Sequence, residues 1–263
     1  MTTPESKFIE MYTPLLNLFI TKINGVNLAK IPEPHLPVIG KEYTNAADKI
    51  LFMGWETRGS KGLNEFIETA QKNPNDALFW WKDDFDSLDF VYWRSNFSRD
   101  FWSFNLKFLA KFYEIPDWKD LYKDPFSFEV ILSSFAWANA NSIERYEVTA
   151  KNNGVLYDDW KKVVDASDIF DNPQLIFKTL QPKVVVLMHW DQDEKKLLDG
   201  LEIEEQSKPF PEYLWYYKIK NPDMHLFWTK HPLRLHFEGV NFDEVIDKII
   251  SIYKEKNVTS ILS

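Results

Sequence analysis

The sequence predicts a three-layer α/β/α sandwich with a mostly parallel central sheet of four strands. Three observations carry this expectation. Apolar runs at residues 50–53, 128–135, 183–188 and 224–229 have the length and residue types of strands buried on both faces. Segments of helical periodicity separate the runs, as in a parallel βα arrangement. Each run also ends abruptly in a polar turn, at Glu56, Asn139, His189 and His231. In a parallel sheet those four turns share one edge, where ligands of open α/β sheets bind.

The elements follow in order. Thr3-Pro4 reads as an N-cap with proline at the first helical position. Phe8, Met11, Leu15, Leu18 and Phe19 approximate one helical face, which Pro14 should kink or end. Residues 31–41 hold three prolines and a glycine and read as an extended connector. After the first strand, residues 63–72 suit a short helix, and residues 73–97 read as irregular. Ser98 is the expected cap of a helix reaching to about Tyr113, with Phe101, Phe104, Phe108 and Phe112 as a core stripe. Helices are also expected over 158–164 and 172–180. Another begins at Asp191, with Glu194 three residues later and Gly200 as its stop. Residues 191–208 read as a solvated face, and 213–219 as an edge strand or insertion. Asn241 with Glu244 opens the last helix, whose stripe is Val245, Ile246, Ile249, Ile250 and Tyr253.

Length favours one domain over residues 1–263, with 1–44 as its N-terminal helix and connector. A composition that is 44% hydrophobic supports a core, yet no apolar run is long enough to span a membrane. The start of the chain does not read as an export signal, and no cysteine is present, so a cytoplasmic monomer is expected. The net charge of -9 argues against broad nonspecific affinity for nucleic acid, while allowing a local basic groove. With 11 Trp, 11 Tyr and 21 Phe, aromatic rings exceed what a core needs and leave some for stacking. There is no G-x-S-x-G, P-loop or H-E-x-x-H motif, and the five histidines are scattered. No metal and no cofactor is expected.

The strand ends supply the candidate residues. Gly54-Trp55-Glu56 leaves the first strand, with Arg58 and Lys61 on the same turn; Asn139 leaves the second, where Asn141 competes with it. His231-Pro232-Leu233-Arg234 leaves the last. The bland readings are a solvated Glu56, a structural His231, a turn-capping Asn139, a packing role for His189, and surface ion pairs for the cations.

Taken as an ordered set, these three motifs resemble the uracil-DNA glycosylase superfamily, over about residues 45 to 256. The resemblance implies an enzyme that flips a nucleotide out of DNA and hydrolyses its N-glycosidic bond. It implies Glu56 as the carboxylate that orients water and stabilises the cationic sugar, and His231 as donor to the departing base. Asn139 would read the base edge, with Gly54 and Trp55 beside it. Pro232 and Leu233 would wedge into the DNA, while Arg58, Lys61 and Arg234 would meet phosphates. Thr57 stands where the family commonly has proline, and Leu233-Arg234 where it has a small residue and a second proline. With bulky Trp55, these differences point to a larger or modified base, or to loss of activity. No lysine at the motif positions suits a Schiff base, so a monofunctional glycosylase acting on damaged or modified DNA is expected. The rival expectations are a noncatalytic nucleic-acid-binding or protein-interaction module of the same fold, and a hydrolase or binding protein for a small nucleoside or sugar.

Overall fold

A computed structural model describes residues 3–28, 30–55, 62–96, 98–143, 145, 154–189 and 197–261. Its helices are α1 (Pro4–Lys22), α2 (Leu63–Lys72), α3 (Pro74–Leu78), α4 (Lys82–Asp86), α5 (Phe90–Asn96) and α6 (Arg99–Phe112). They continue with α7 (Asp120–Lys123), α8 (Glu129–Leu132), α9 (Tyr157–Ser167), α10 (Pro173–Leu180), α11 (Pro232–Phe237) and α12 (Phe242–Ile261). The strands are β1 (Val38–Ile39), β2 (Ile50–Gly54), β3 (Phe135–Asn139), β4 (Val184–Met188), β5 (Ile203–Phe210), β6 (Leu214–Ile219) and β7 (Met224–Thr229).

The α/β class is as expected, but the four-stranded parallel sheet is not. All seven strands form one mixed sheet in the order β1-β3-β2-β4-β7-β6-β5. Its inner block, β3-β2-β4-β7, is parallel, while β1 and the β6–β5 hairpin are added antiparallel at its two margins. The additions escape a search for apolar runs. β1 is two residues long, and β5 is largely exposed and polar, so what reads as a solvated face from residue 203 onward is an edge strand.

Alternation along the buried strands builds two cores. Leu51, Met53, Ala136, Ala138, Val185, Leu187, Leu226 and Trp228 face one side, with buried residues of α1, α2, α3, α9 and α10. Their neighbours Ile50, Phe52, Phe135, Trp137, Val184, Val186, Met188 and Phe227 face the other, with residues of α4, α5, α6, α11 and α12. Every residue of β2, β3, β4 and β7 is buried, as a strand covered on both faces requires.

Three further expectations are corrected. The second strand begins at Phe135, because residues 129–132 form α8, and only Leu132 of that turn is buried. The expected irregular stretch over 73–97 is helical over much of its described part, 73–96: Asn73 caps α3 through its side chain, and α4 and α5 follow. Pro14 neither ends nor breaks α1, which runs on to Lys22 with Phe8, Tyr12, Leu16 and Phe19 buried. Pro14 and Glu10 both lie on the exposed side, so water can take the carbonyl that proline leaves without its amide partner. The expected cap at Asp191 and Glu194 falls outside the described residues.

Burial gives the fold a pH dependence. His35 is only 3% exposed, with its ring against Trp137 at 4.1 Å. Burial pushes its pKa down to about 3. The unfolded chain takes up this proton near the ordinary histidine value of about 6.5. Stability is therefore complete above that value and falls as pH drops from about 6.5 toward about 3. His225, lowered to about 4 chiefly by burial, acts in the same sense. At pH 5 the His35 contribution amounts to roughly 2 kcal/mol lost. Urea midpoints at pH 7.5 and 5 should show this loss, and His35→Phe should remove much of it; an unchanged slope in that variant would contradict the assignment.

Candidate functional site

The carboxyl ends of the four parallel strands lie at one edge, as the sequence implies. Gly54 stands opposite Asn139 in the β2–β3 ladder, and Met188 opposite Thr229 in the β4–β7 ladder. The strand ends thus run in the order Asn139, Gly54, His189, His231. At the usual strand spacing they span about 14 Å. The β2–β3 pairing continues past both strands, with Ala140 N–H donating to the Gly54 carbonyl at 2.9 Å and Asn141 N–H to the Trp55 carbonyl at 2.8 Å. Asn141 is thereby tied by its backbone beside Trp55, while Asn139 is the buried last residue of β3.

Gly54 is glycine for a reason of space. A Cβ there would stand 2.8 Å from Asn139 Oδ1 and 3.2 Å from Phe101 Cε2. The missing side chain leaves room for the Asn139 amide and the Phe101 ring, both of which crowd the end of β2. Ser98 caps α6 by accepting the Phe101 N–H at 3.4 Å, which puts Phe101 in the first turn of that helix. Its ring also lies near parallel to His231, at 6.0 Å and 17°, and 6.2 Å from the ring of Trp137. Phe101 therefore joins the ends of β2 and β7 across the edge.

His231 is held by the helix that follows it. Pro232 occupies the first turn of α11, and the His231 side chain is the cap, its Nδ1 accepting Leu233 N–H at 3.2 Å. With Nδ1 used as acceptor, the neutral ring carries its proton on Nε2 and is a hydrogen-bond donor there. Trp55 is half-buried and sets its ring edge-on to His189, at 3.9 Å and 85°. The His189 carbonyl in turn accepts the Trp228 indole N–H.

The flanking positions are more varied. Leu233 is exposed and Pro232 is buried. Arg234 is exposed but bonded to Glu238 at 2.7 Å, and Lys230 reaches the same carboxylate at 2.7 Å. Those two cations hold the Glu238 carboxyl below its ordinary pKa. Glu56, Arg58 and Lys61 lie outside the described residues. The structure thus brings together Gly54, Trp55, Asn139 and His231 at one edge, with Pro232, Leu233 and Arg234 on the helix beside it.

Phe101 is core, as its spacing implies, being 4% exposed among the buried residues of α6; what sequence reasoning missed is that this member of the stripe reaches the carboxyl edge. The available signal is Ser98: a cap puts the third residue after it in the first turn of the helix, at the end nearest the strand ends. Two buried titratable residues of the proline-rich connector, Glu33 and His35, also reach this side of the sheet, His35 N–H donating to the Ser142 carbonyl at 2.6 Å. Among the described residues, no group of three histidines or carboxylates could hold a metal ion. Nor, among them, is any helix long and apolar enough to cross a membrane.

No protein family, curated protein or solved structure matches this chain.

Proposed function

We propose that the protein is a monofunctional DNA glycosylase that hydrolyses the N-glycosidic bond of a uracil-like or modified base flipped out of DNA. The observation that carries this reading is that Asn139 and Phe101 crowd Gly54 at the carboxyl edge of the parallel strands, with the His231 ring lying parallel to that of Phe101. A flipped base needs an apolar face to lie on, an amide to pair with its edge and a donor for the oxygen that becomes negative as the bond breaks. Phe101, Asn139 and the Nε2–H of His231 are groups of those kinds. In the reaction, the C1′–N bond breaks toward the base, the sugar becomes cationic, and water adds at C1′ with loss of a proton. Glu56 is the proposed acceptor of that proton, and its negative charge favours the cationic sugar.

Leu233 is exposed where it can wedge between bases, and Arg234 can exchange Glu238 for a phosphate, since exposed ion pairs are weak. Arg58 and Lys61 are the further phosphate contacts of this reading. The second reading is a noncatalytic nucleic-acid or protein-interaction module, favoured by the commitment of both Lys230 and Arg234 to Glu238. An abasic-site assay separates the two. Oligonucleotides would carry uracil, hypoxanthine, thymine mismatches, or hydroxymethylated or glucosylated cytosine. Abasic product from one of them supports the glycosylase. A gel shift without product on any of them favours the module.

A further inference from the structure

We propose that a cleft at the amino edge of the sheet binds a small carboxylate that also carries hydroxyl groups. The cleft lies between α12 and the margin built from β5, β6 and β7. Asp48 lines it just before β2, Lys183 just before β4, and His225 near the start of β7, so it opens at the strand ends away from His231. Its volume of about 790 Å³ falls within the range of pockets that take small molecules. The site is separate from the carboxyl edge and does not rest on the glycosylase reading.

The floor is a relay of three side chains. Lys218 stands opposite His225 in the β6–β7 ladder, and Tyr216 lies two residues along β6 on the same face. Lys218 Nζ is 3.4 Å from His225 Nε2, and His225 Nδ1 is 3.1 Å from the Tyr216 hydroxyl. The bond directions follow from chemistry. An ammonium only donates, so Nε2 accepts. Burial lowers the His225 pKa to about 4, so near neutral pH the ring is uncharged and its one proton is on Nδ1. That N–H donates to the Tyr216 oxygen. Burial also raises the Tyr216 pKa, so the phenol keeps its hydrogen. Among the described residues nothing accepts that hydrogen. Lys218 spends one N–H on His225 and one on Asp223, which leaves a third. An oxyanion in the cleft therefore meets two donors, the Tyr216 hydroxyl and the Lys218 ammonium.

The rim decides what carries the oxyanion. Lys183 and Lys218 share Asp223, Lys256 pairs with Glu205 at 2.7 Å, and Asp48 accepts the Tyr253 hydroxyl at 2.5 Å. With Glu204, the cleft is lined by four carboxylates and three lysines. That balance opposes a dianion such as a phosphate monoester and admits one negative charge beside Lys218. Asp223 is 58% exposed, so a ligand carboxylate can replace it on the lysines at little cost. The remaining carboxylate oxygens are acceptors only, and hydroxyl groups on the ligand supply the hydrogens they take.

Calorimetric titration of the full chain with glucuronate, glucose and glucose 6-phosphate, which differ at a single carbon, tests the site. Glucuronate should bind saturably, and roughly tenfold or more tighter than the other two, the worth of a charge-assisted hydrogen bond. Tyr216→Phe removes one oxygen and keeps the buried ring, while Lys218→Met removes the charge. Each should weaken glucuronate binding roughly tenfold. If Lys218→Met does not fold, Tyr216→Phe decides. Glucose bound as tightly as glucuronate overturns the carboxylate, and tighter binding of glucose 6-phosphate overturns the single charge. No saturable binding of glucuronate, or wild-type affinity in Tyr216→Phe, overturns the site itself.

Discussion

Glu56→Gln is expected to lower abasic-site formation by about a hundredfold or more, with the protein still folded and still binding DNA. The argument rests on charge rather than shape. Glutamine keeps the size of the side chain but can neither take the proton of the attacking water nor offset the positive sugar. His231→Ala should cost a comparable factor by a different route, because it removes the Nε2–H donor. It also removes the acceptor of Leu233 N–H, so His231→Asn, which can keep the cap, is the cleaner comparison. The measurement is single-turnover base release at saturating protein, which separates chemistry from binding. A loss below tenfold in Glu56→Gln would remove that residue from the proposed mechanism.

The largest effect on stability is expected at Gly40. This residue follows β1, and its N–H donates to the Phe135 carbonyl at 3.1 Å. A Cβ there would stand 2.2 Å from the Ser133 carbonyl oxygen and 2.8 Å from that of Phe135. Both are backbone atoms, one just before β3 and one at its first residue, so no side-chain rotation relieves the clash. Gly40→Ala should cost about 3 kcal/mol or more, or prevent folding at 37 °C. Gly25→Ala is the control for glycine replacement in open space: nothing lies within 4 Å of its Cβ, although its φ of +79° carries its own modest penalty. Urea unfolding of both variants gives the comparison, and equal midpoints would refute the account of Gly40.

What was legible in the sequence was local. β2, β4 and β7 announce themselves because strands buried on both faces are largely apolar, and α12 because Asn241 accepts Asp243 N–H at 3.0 Å ahead of a regular stripe. The boundary of β3 was misread because α8 and β3 together form one apolar run, and the turn at Ser133 and Ser134 that divides them is marked only by two small polar residues. The β5–β6 hairpin was largely illegible, since an exposed edge strand shows neither an apolar run nor a clean alternation. The candidate site divides in the same way. His231, Asn139 and Gly54 sit at strand ends, so their shared edge follows from a parallel sheet. Phe101 reaches that edge from the first turn of α6, well before β3 in the chain, and Glu33 meets Gly62 across 29 positions. No pattern of neighbours in the chain encodes such meetings.

The hairpin also settles what the sheet presents to other molecules. β7 is buried at all six positions, and β6 covers the side that would otherwise be its open flank. The margin passes to β5, whose IEEQSKPF sequence carries two glutamates, a lysine and a proline and whose pairing with β6 shifts register twice. Charge, a missing N–H and an irregular ladder are poor templates for another strand. The chain can therefore keep a wholly buried strand leading to His231 without offering a sticky border to its own copies during folding or in a crowded solution.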